Sequence, residues 1–223
     1  ELRTAETGGS YDRSDNIQAL NSNGFQVGTD GQVNASGGTY VSWAWKGGGI
    51  TPSSLSGGTI TPSASVNVDA GFSIMTYTGA NVGTGNVSTI PHGLSQAPEL
   101  IIIKGRNVEA GWATLYNDGT NSYAMRLNSN GTNDDTNKNT FFGNGSSHTA
   151  PTSSLFTVGH SDEVNFAHNY LAFCYHSVAG YSKIGKYTGK AGVAEHEVNL
   201  GFAPAFVLIK RTDSSGDWYV FDS

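Results

Sequence analysis

Charge is what this chain has least of. Only 13% of its 223 residues are Asp, Glu, Lys or Arg, so hydroxyls and amides must keep its surface polar. The 12 basic residues are scattered and the formal net charge is -6, which offers no footprint to a phosphate backbone and argues against a nucleic-acid partner. A single cysteine, Cys174, rules out an internal disulfide and leaves packing, strand pairing or assembly to hold the fold. No apolar run reaches the roughly 18 residues that cross a bilayer, and no basic segment leads into an apolar one at the N-terminus, so no membrane insertion is expected. The first residue is Glu1, which suggests a processed chain or a piece of a longer one.

What is present is glycine, 30 residues of it, together with a 37% hydrophobic fraction arriving in short runs between turn residues. That regularity excludes a disordered low-complexity chain and points to strands. Phe25–Gly28, Val33–Asn34, Gly71–Gly79, Trp112–Tyr116, Tyr123–Leu127, Leu155–Gly159 and Tyr170–Tyr175 all read as strands. Tyr40–Trp45 alternates, with Val41, Trp43 and Trp45 on one face, and reads as another. Asn128–Asn139 reads as a loop, and residues 1–23 are too sparsely apolar to assign. The expected fold class is all-β, built of antiparallel β-sandwich units of jelly-roll-like character.

The chain also matches itself. Ala97-Pro98-Glu99-Leu100-Ile101-Ile102-Ile103-Lys104 returns as Ala203-Pro204-Ala205-Phe206-Val207-Leu208-Ile209-Lys210. Gly71-Phe72-Ser73 with Tyr77-Thr78-Gly79 returns as Gly180-Tyr181-Ser182 with Tyr187-Thr188-Gly189, and Trp112 as Trp218. Phe25-Gln26-Val27-Gly28, Val33-Asn34 and Tyr40–Trp45 return as Phe156-Thr157-Val158-Gly159, Val164-Asn165 and Tyr170–Tyr175. The first set is half A and the second half B. The expected division is half B at 1–45, a Gly/Ser/Thr/Pro linker or arm at 46–70, a complete A-plus-B repeat at 71–175, and half A at 180–223. The terminal halves would complete each other within one chain, or each would be completed by a neighbouring subunit, because a bare half exposes strand edges and an apolar face.

No catalytic constellation emerges: Gly-x-Ser-x-Gly, phosphate-loop and His-Glu-x-x-His patterns are missing, and an enzyme is not expected. His160, His168 and His176 are evenly spaced, but no ligand geometry has that spacing. Asn133-Asp134-Asp135 lacks the glycine and terminal glutamate of a helical calcium loop, so no cofactor is expected and Ca2+ is only a weak candidate. Cys174 stands where the first half B has Ala44, the mark of a small buried residue. The aromatics are the better lead, since an aromatic flanked by Asn and Asp can floor a sugar site. Trp112 and Trp218 recur and read as packing, which leaves Tyr116, Asn117, Asp118, Tyr123, Asn133, Asp134 and Asp135 as the candidate ligand surface.

Gly-Phe-Ser-Ile with Tyr-Thr-Gly, His-Gly-Leu ahead of Ala-Pro, the 149–159 run Thr-Ala-Pro-Thr-Ser-Ser-Leu-Phe-Thr-Val-Gly, and Ile-Lys-Arg-Thr-Asp at 209–213 carry a resemblance. The chain resembles a repeat of large virion structural proteins of marine bacteriophages, of the tail-fibre or receptor-binding kind. Such proteins often carry lectin-like modules beside the repeat. The resemblance implies a virion or extracellular location, self-association or contact with other virion proteins, and attachment to a host-surface glycan or fibre assembly. A tailspike polysaccharide depolymerase and a capsid decoration protein are the alternatives. The family supplies no catalytic residues to carry over.

Overall fold

The computed structural model describes residues 1–49, 53–190, 192 and 195–222; residues 50–52 of the expected linker and residues 191, 193, 194 and 223 of the C-terminal half lie outside that description. The elements in order are β1 (Ile17–Asn21), β2 (Gly24–Val27), α1 (Gly31–Asn34), β3 (Ser53–Ser54), β4 (Ser63–Asn67), β5 (Phe72–Thr78), β6 (Ser88–Pro91), β7 (Leu100–Gly105), β8 (Trp112–Asn117) and β9 (Ser122–Arg126), then α2 (Asp135–Phe141), β10 (Leu155–Val158), β11 (Asn169–Tyr175), β12 (Phe206–Lys210) and β13 (Trp218–Asp222).

Every strand pairing is antiparallel, and the expected all-β, sandwich-like class holds. A seven-stranded sheet runs β3-β4-β5-β11-β7-β8-β9, and three two-stranded sheets pair β1 with β2, β6 with β10 and β12 with β13. β11 arrives last yet sits between β5 and β7, so the centre of the sheet closes only when it inserts.

Period-two alternation sends Ser73, Met75 and Tyr77 of β5, Ile101 and Ile103 of β7, Ala113 and Leu115 of β8, and Tyr170, Ala172 and Cys174 of β11 to one buried face. The β6–β10 ribbon and the end of α2 cover that face with Ile90, Phe156, Val158, Phe141 and Phe142. Each fully buried isoleucine contributes roughly 1.5–3 kcal/mol by leaving water. His-Gly-Leu pins the ribbon's end. The buried His92 accepts from the Leu94 N–H at Nδ1, so its other nitrogen donates to the Thr152 carbonyl at 3.1 Å, and burial holds its pKa below the ordinary value. Between them Gly93 has φ +73°, and a Cβ there would meet Val66 Cγ2 at 2.8 Å.

The N-terminal segment straps the far end of the opposite face. Lys104, fully buried, donates from Nζ to the carbonyls of Thr7 and Ala110, both at 2.8 Å, and the Trp112 indole N–H donates to the Arg3 carbonyl. Burial pushes the Lys104 pKa down, against a weaker upward pull from Glu163.

Several stretches differ from the sequence expectation. The 46–70 stretch is not only an arm: Ser63–Asn67 is a sheet strand with Ala64 buried, and Ser53–Ser54 pairs with it. Val33–Asn34 does not continue a strand but lies in α1, capped by Asp30, whose Oδ1 accepts from the Gln32 N–H. The matching residues make the same capped turn, with the Ser161 hydroxyl accepting from the Glu163 N–H and the Val164 and Asn165 N–H groups donating to the Ser161 carbonyl. Asn128–Asn139 is not all loop, because α2 starts at Asp135. Tyr40–Trp45 forms no strand. Its match, β11, has β5 on one side and β7 on the other, whereas Tyr40–Trp45 has no ladder partner among the described residues and stays exposed.

Candidate functional site

The β8–β9 turn brings the first group of candidate residues together. Tyr116 and Tyr123 are cross-strand partners on the face away from the core, and their rings stack at 5.7 Å and 19°. Asp118 folds the turn, its Oδ1 accepting from the Thr120 and Asn121 N–H groups. Its Oδ2 takes Lys186 Nζ at 2.5 Å, and the same ammonium reaches the Tyr123 hydroxyl at 3.2 Å and lies 5.5 Å from that ring's centroid. The Lys186 hydrogen bond, then the two backbone N–H groups, bring the Asp118 pKa down to about 2, and Asp118 and Tyr123 in turn raise that of Lys186. Burial, then the Asp118 charge, raises that of Tyr116. Asn117 is not part of this surface. It is buried, with its Oδ1 3.1 Å from the Ser122 hydroxyl, which lies 2.8 Å from His148 Nε2.

Asn133, Asp134 and Asp135 lie beyond the edge of β9 and build the start of α2. Asn133 Oδ1 accepts from the Ala124 N–H, and the Asp134 N–H donates to the Ala124 carbonyl. Asp134 caps the helix through the Thr136 and Asn137 N–H groups, and Asp135 pairs with Lys138 at 2.6 Å, which lowers its pKa. Together with Arg126 and Asn137 the three line an open recess of about 330 Å³. Arg126 is committed elsewhere, to Glu163 at 2.7 Å and over the Phe141 ring at 5.0 Å. The two candidate groups therefore flank one strand without converging on one site.

A Ca2+ site would need carboxylate oxygens free to converge, and both of Asp134's are held by the cap while Asp135 Oδ1 is held by Lys138. Among the described residues no group of three or more His, Cys, Asp or Glu is placed to share a metal ion, and the three histidines lie apart, His160 bonded to the Val82 carbonyl, His176 to the Ser177 carbonyl and His168 3.9 Å from Asp162. Cys174 is buried with its thiol pKa raised by burial, the opposite of a reactive thiol.

Sequence reading missed Lys186, which reaches the tyrosine pair from a distant part of the chain. It also missed a surface of another kind. Among the described residues, fourteen of the sixteen exposed large hydrophobics, all but Val68 and Val87, fall in Tyr11–Trp45 and Tyr181–Phe221. Trp43 and Trp45 meet Phe206 edge-on at 5.4 and 6.0 Å, and Trp45 meets Tyr175 at 6.4 Å. In its aromatic runs the sequence did carry a signal for this surface.

Strand order and exposed set define an all-β protein with one well-packed sandwich-like unit and apolar terminal segments. The chain belongs to the family described as Domain of unknown function (DUF7483), whose profile matches residues 1–223, the N-terminal segment and the 46–70 stretch included. No curated protein and no solved structure matches it. Among the described residues no helix is long and apolar enough to cross a membrane.

Proposed function

We propose that this protein is a structural component of a virion surface or fibre, located outside the cell, and that it works by associating with copies of itself or with other virion proteins. The observation that carries the reading is the exposed aromatic and aliphatic set on the two terminal segments, which each hold a two-stranded sheet. A two-stranded sheet is marginal alone, and an apolar face beside open strand edges is what a subunit keeps for its neighbour. The resemblance to phage fibre repeats supports the same reading, with capsid decoration as a variant of it. Sedimentation and negative-stain electron microscopy of the purified chain test it: ordered oligomers are expected, and a monomer at high concentration would sink it.

A second reading is favoured by the stacked Tyr116–Tyr123 pair framed by Asp118 and Lys186, an aromatic platform with polar edges suited to a host glycan. Binding on a glycan array that disappears in Tyr123→Ala supports attachment. Release of shortened polysaccharide would instead establish the depolymerase alternative and overturn the non-enzymatic reading.

A further inference from the structure

β7–β8 and β12–β13 are hairpins of one register. Lys104 lies opposite Trp112 and Leu100 opposite Tyr116 in the first, and Lys210 lies opposite Trp218 and Phe206 opposite Asp222 in the second. In the first, β11 pairs with the other edge of β7, setting Tyr175 against Leu100, Cys174 against Ile101 and Phe173 against Ile102. In the second, the corresponding edge of β12 has no ladder partner among the described residues. The stretch that matches β11 in sequence is Tyr40–Trp45, exposed and unpaired, and it follows the same strand and capped turn that precede β11.

We propose, building on the assembly reading above, that the open edge of β12 is a docking site for Tyr40–Trp45 of a second copy of this chain. The strand adds antiparallel, with Trp45 opposite Phe206, Ala44 opposite Val207 and Trp43 opposite Leu208. The complete unit supplies the template for this register, and the aromatic character of both strands supplies the contact area. In this conformation a chain's own segment forms no ladder with its own β12. Its backbone is anchored immediately after Trp45, where the Lys46 carbonyl accepts from Asn67 Nδ2 and Gly49 exchanges hydrogen bonds with the Ser65 hydroxyl at the β4 side of the main sheet. Its tryptophan rings meet Phe206 edge-on, and β12 is paired with β13 alone among the described residues. Tyr40–Trp45 stays exposed beside the edge of β12. Because each copy offers one edge and one strand, the contact is head-to-tail, and it grows into a ring or a filament.

The register is tested with two substitutions that change little volume, Ala44→Cys at an exposed site and Val207→Cys on β12. Chains carrying one or the other, differently tagged, are mixed and oxidised, and the linked peptides are identified by mass. Cys174 is sealed in the core and does not interfere. A disulfide joining residue 44 of one chain to residue 207 of the other is expected, and Trp43→Lys should abolish it while leaving the thermal unfolding midpoint within a few degrees. A doubly substituted chain that closes only on itself overturns the proposal in favour of completion within one chain. Ordered oligomers without the 44–207 link overturn the register and leave the assembly reading standing, whereas a monomer that never cross-links removes both.

Discussion

The β7–β8 and β12–β13 hairpins share a register and much of a sequence, yet Ile101 and Ile103 are sealed from solvent while Val207 and Ile209 are only half-buried. Trp112 is buried, whereas on the matching strand Tyr219, Val220 and Phe221 are exposed. The difference is not in the strands but in their neighbours. β7–β8 lies between β11 and β9 and under the β6–β10 ribbon, and among the described residues β12–β13 has no further strand on either edge. An identical local pattern therefore yields core in one place and surface in the other, because burial belongs to the assembly of elements and not to any one of them.

The sharpest way to break this comparison is to truncate matching isoleucines. Ile103→Ala removes fully buried methyl groups and should cost about 2–5 kcal/mol, read by urea unfolding. Ile209→Ala should cost under about 1 kcal/mol as a half-exposed change and act on association instead. Equal costs would mean that β12 is packed like β7.

The paired lysines come next. Lys104→Met leaves the Ala110 carbonyl without its Lys104 donor and the Thr7 carbonyl with the Ala110 N–H alone, and should cost about 1–3 kcal/mol, with faster hydrogen exchange across residues 3–10. Lys210→Met, at a half-buried amine that reaches the Asn130 and Arg211 carbonyls, should cost less, under about 1 kcal/mol. The Lys104 effect also depends on pH. Burial lowers its folded pKa, so below the unfolded value of about 10.4 the unfolded chain binds the proton more tightly, and stability rises with pH through that window. The neutral amine still carries two hydrogens for its two carbonyls. The deficit of Lys104→Met should therefore widen as pH rises toward that value, and a constant gap would show that the amine is not desolvated.

The smallest effect is expected at the surface pair. The folded pKa of Asp118 sits near 2, below the usual carboxylate value, so what the pair contributes is present above about pH 4 and is lost as pH falls through 2. Asp118→Asn should leave the unfolding midpoint nearly unchanged, since exposed ion pairs contribute little, and should speed hydrogen exchange around Lys186. Protection there that survives both acid and the substitution would mean that the Tyr123 hydroxyl alone holds the lysine.

Much of the fold was legible because its central strands alternate densely. β5, β7, β8, β10 and β11 all carry large apolar residues on the buried face, and their periodicity shows it. β4 escaped notice because Ser63-Ala64-Ser65-Val66-Asn67 buries only the small Ala64 fully and is otherwise polar. α2 escaped because Asp-Thr-Asn-Lys-Asn-Thr-Phe is a poor helix former by propensity, and what fixes it is the Asp134 cap and the burial of Phe141. Tyr40–Trp45 failed in the opposite direction: its alternation is that of a strand, but a strand also needs an edge to pair with. At the site, the Tyr116–Asp118–Tyr123 cluster was readable from a tight turn between two strands. Lys186 was not, because nothing local links it to residues that far back in the chain.

Asn133 and Asp134 have a consequence beyond starting a helix. By occupying the N–H and C=O of Ala124 they blunt the outer edge of β9, and β3, with two described strand residues, offers little ladder at the opposite border of the sheet. The well-packed unit is thereby poor at templating its own misfolding: a stray strand finds few open amide groups on it. Its resistance to amyloid-like stacking would rest on one side chain and one backbone N–H outside the core, and Asn133→Ala, harmless to the packing, would be the change that reopens the edge to sideways aggregation.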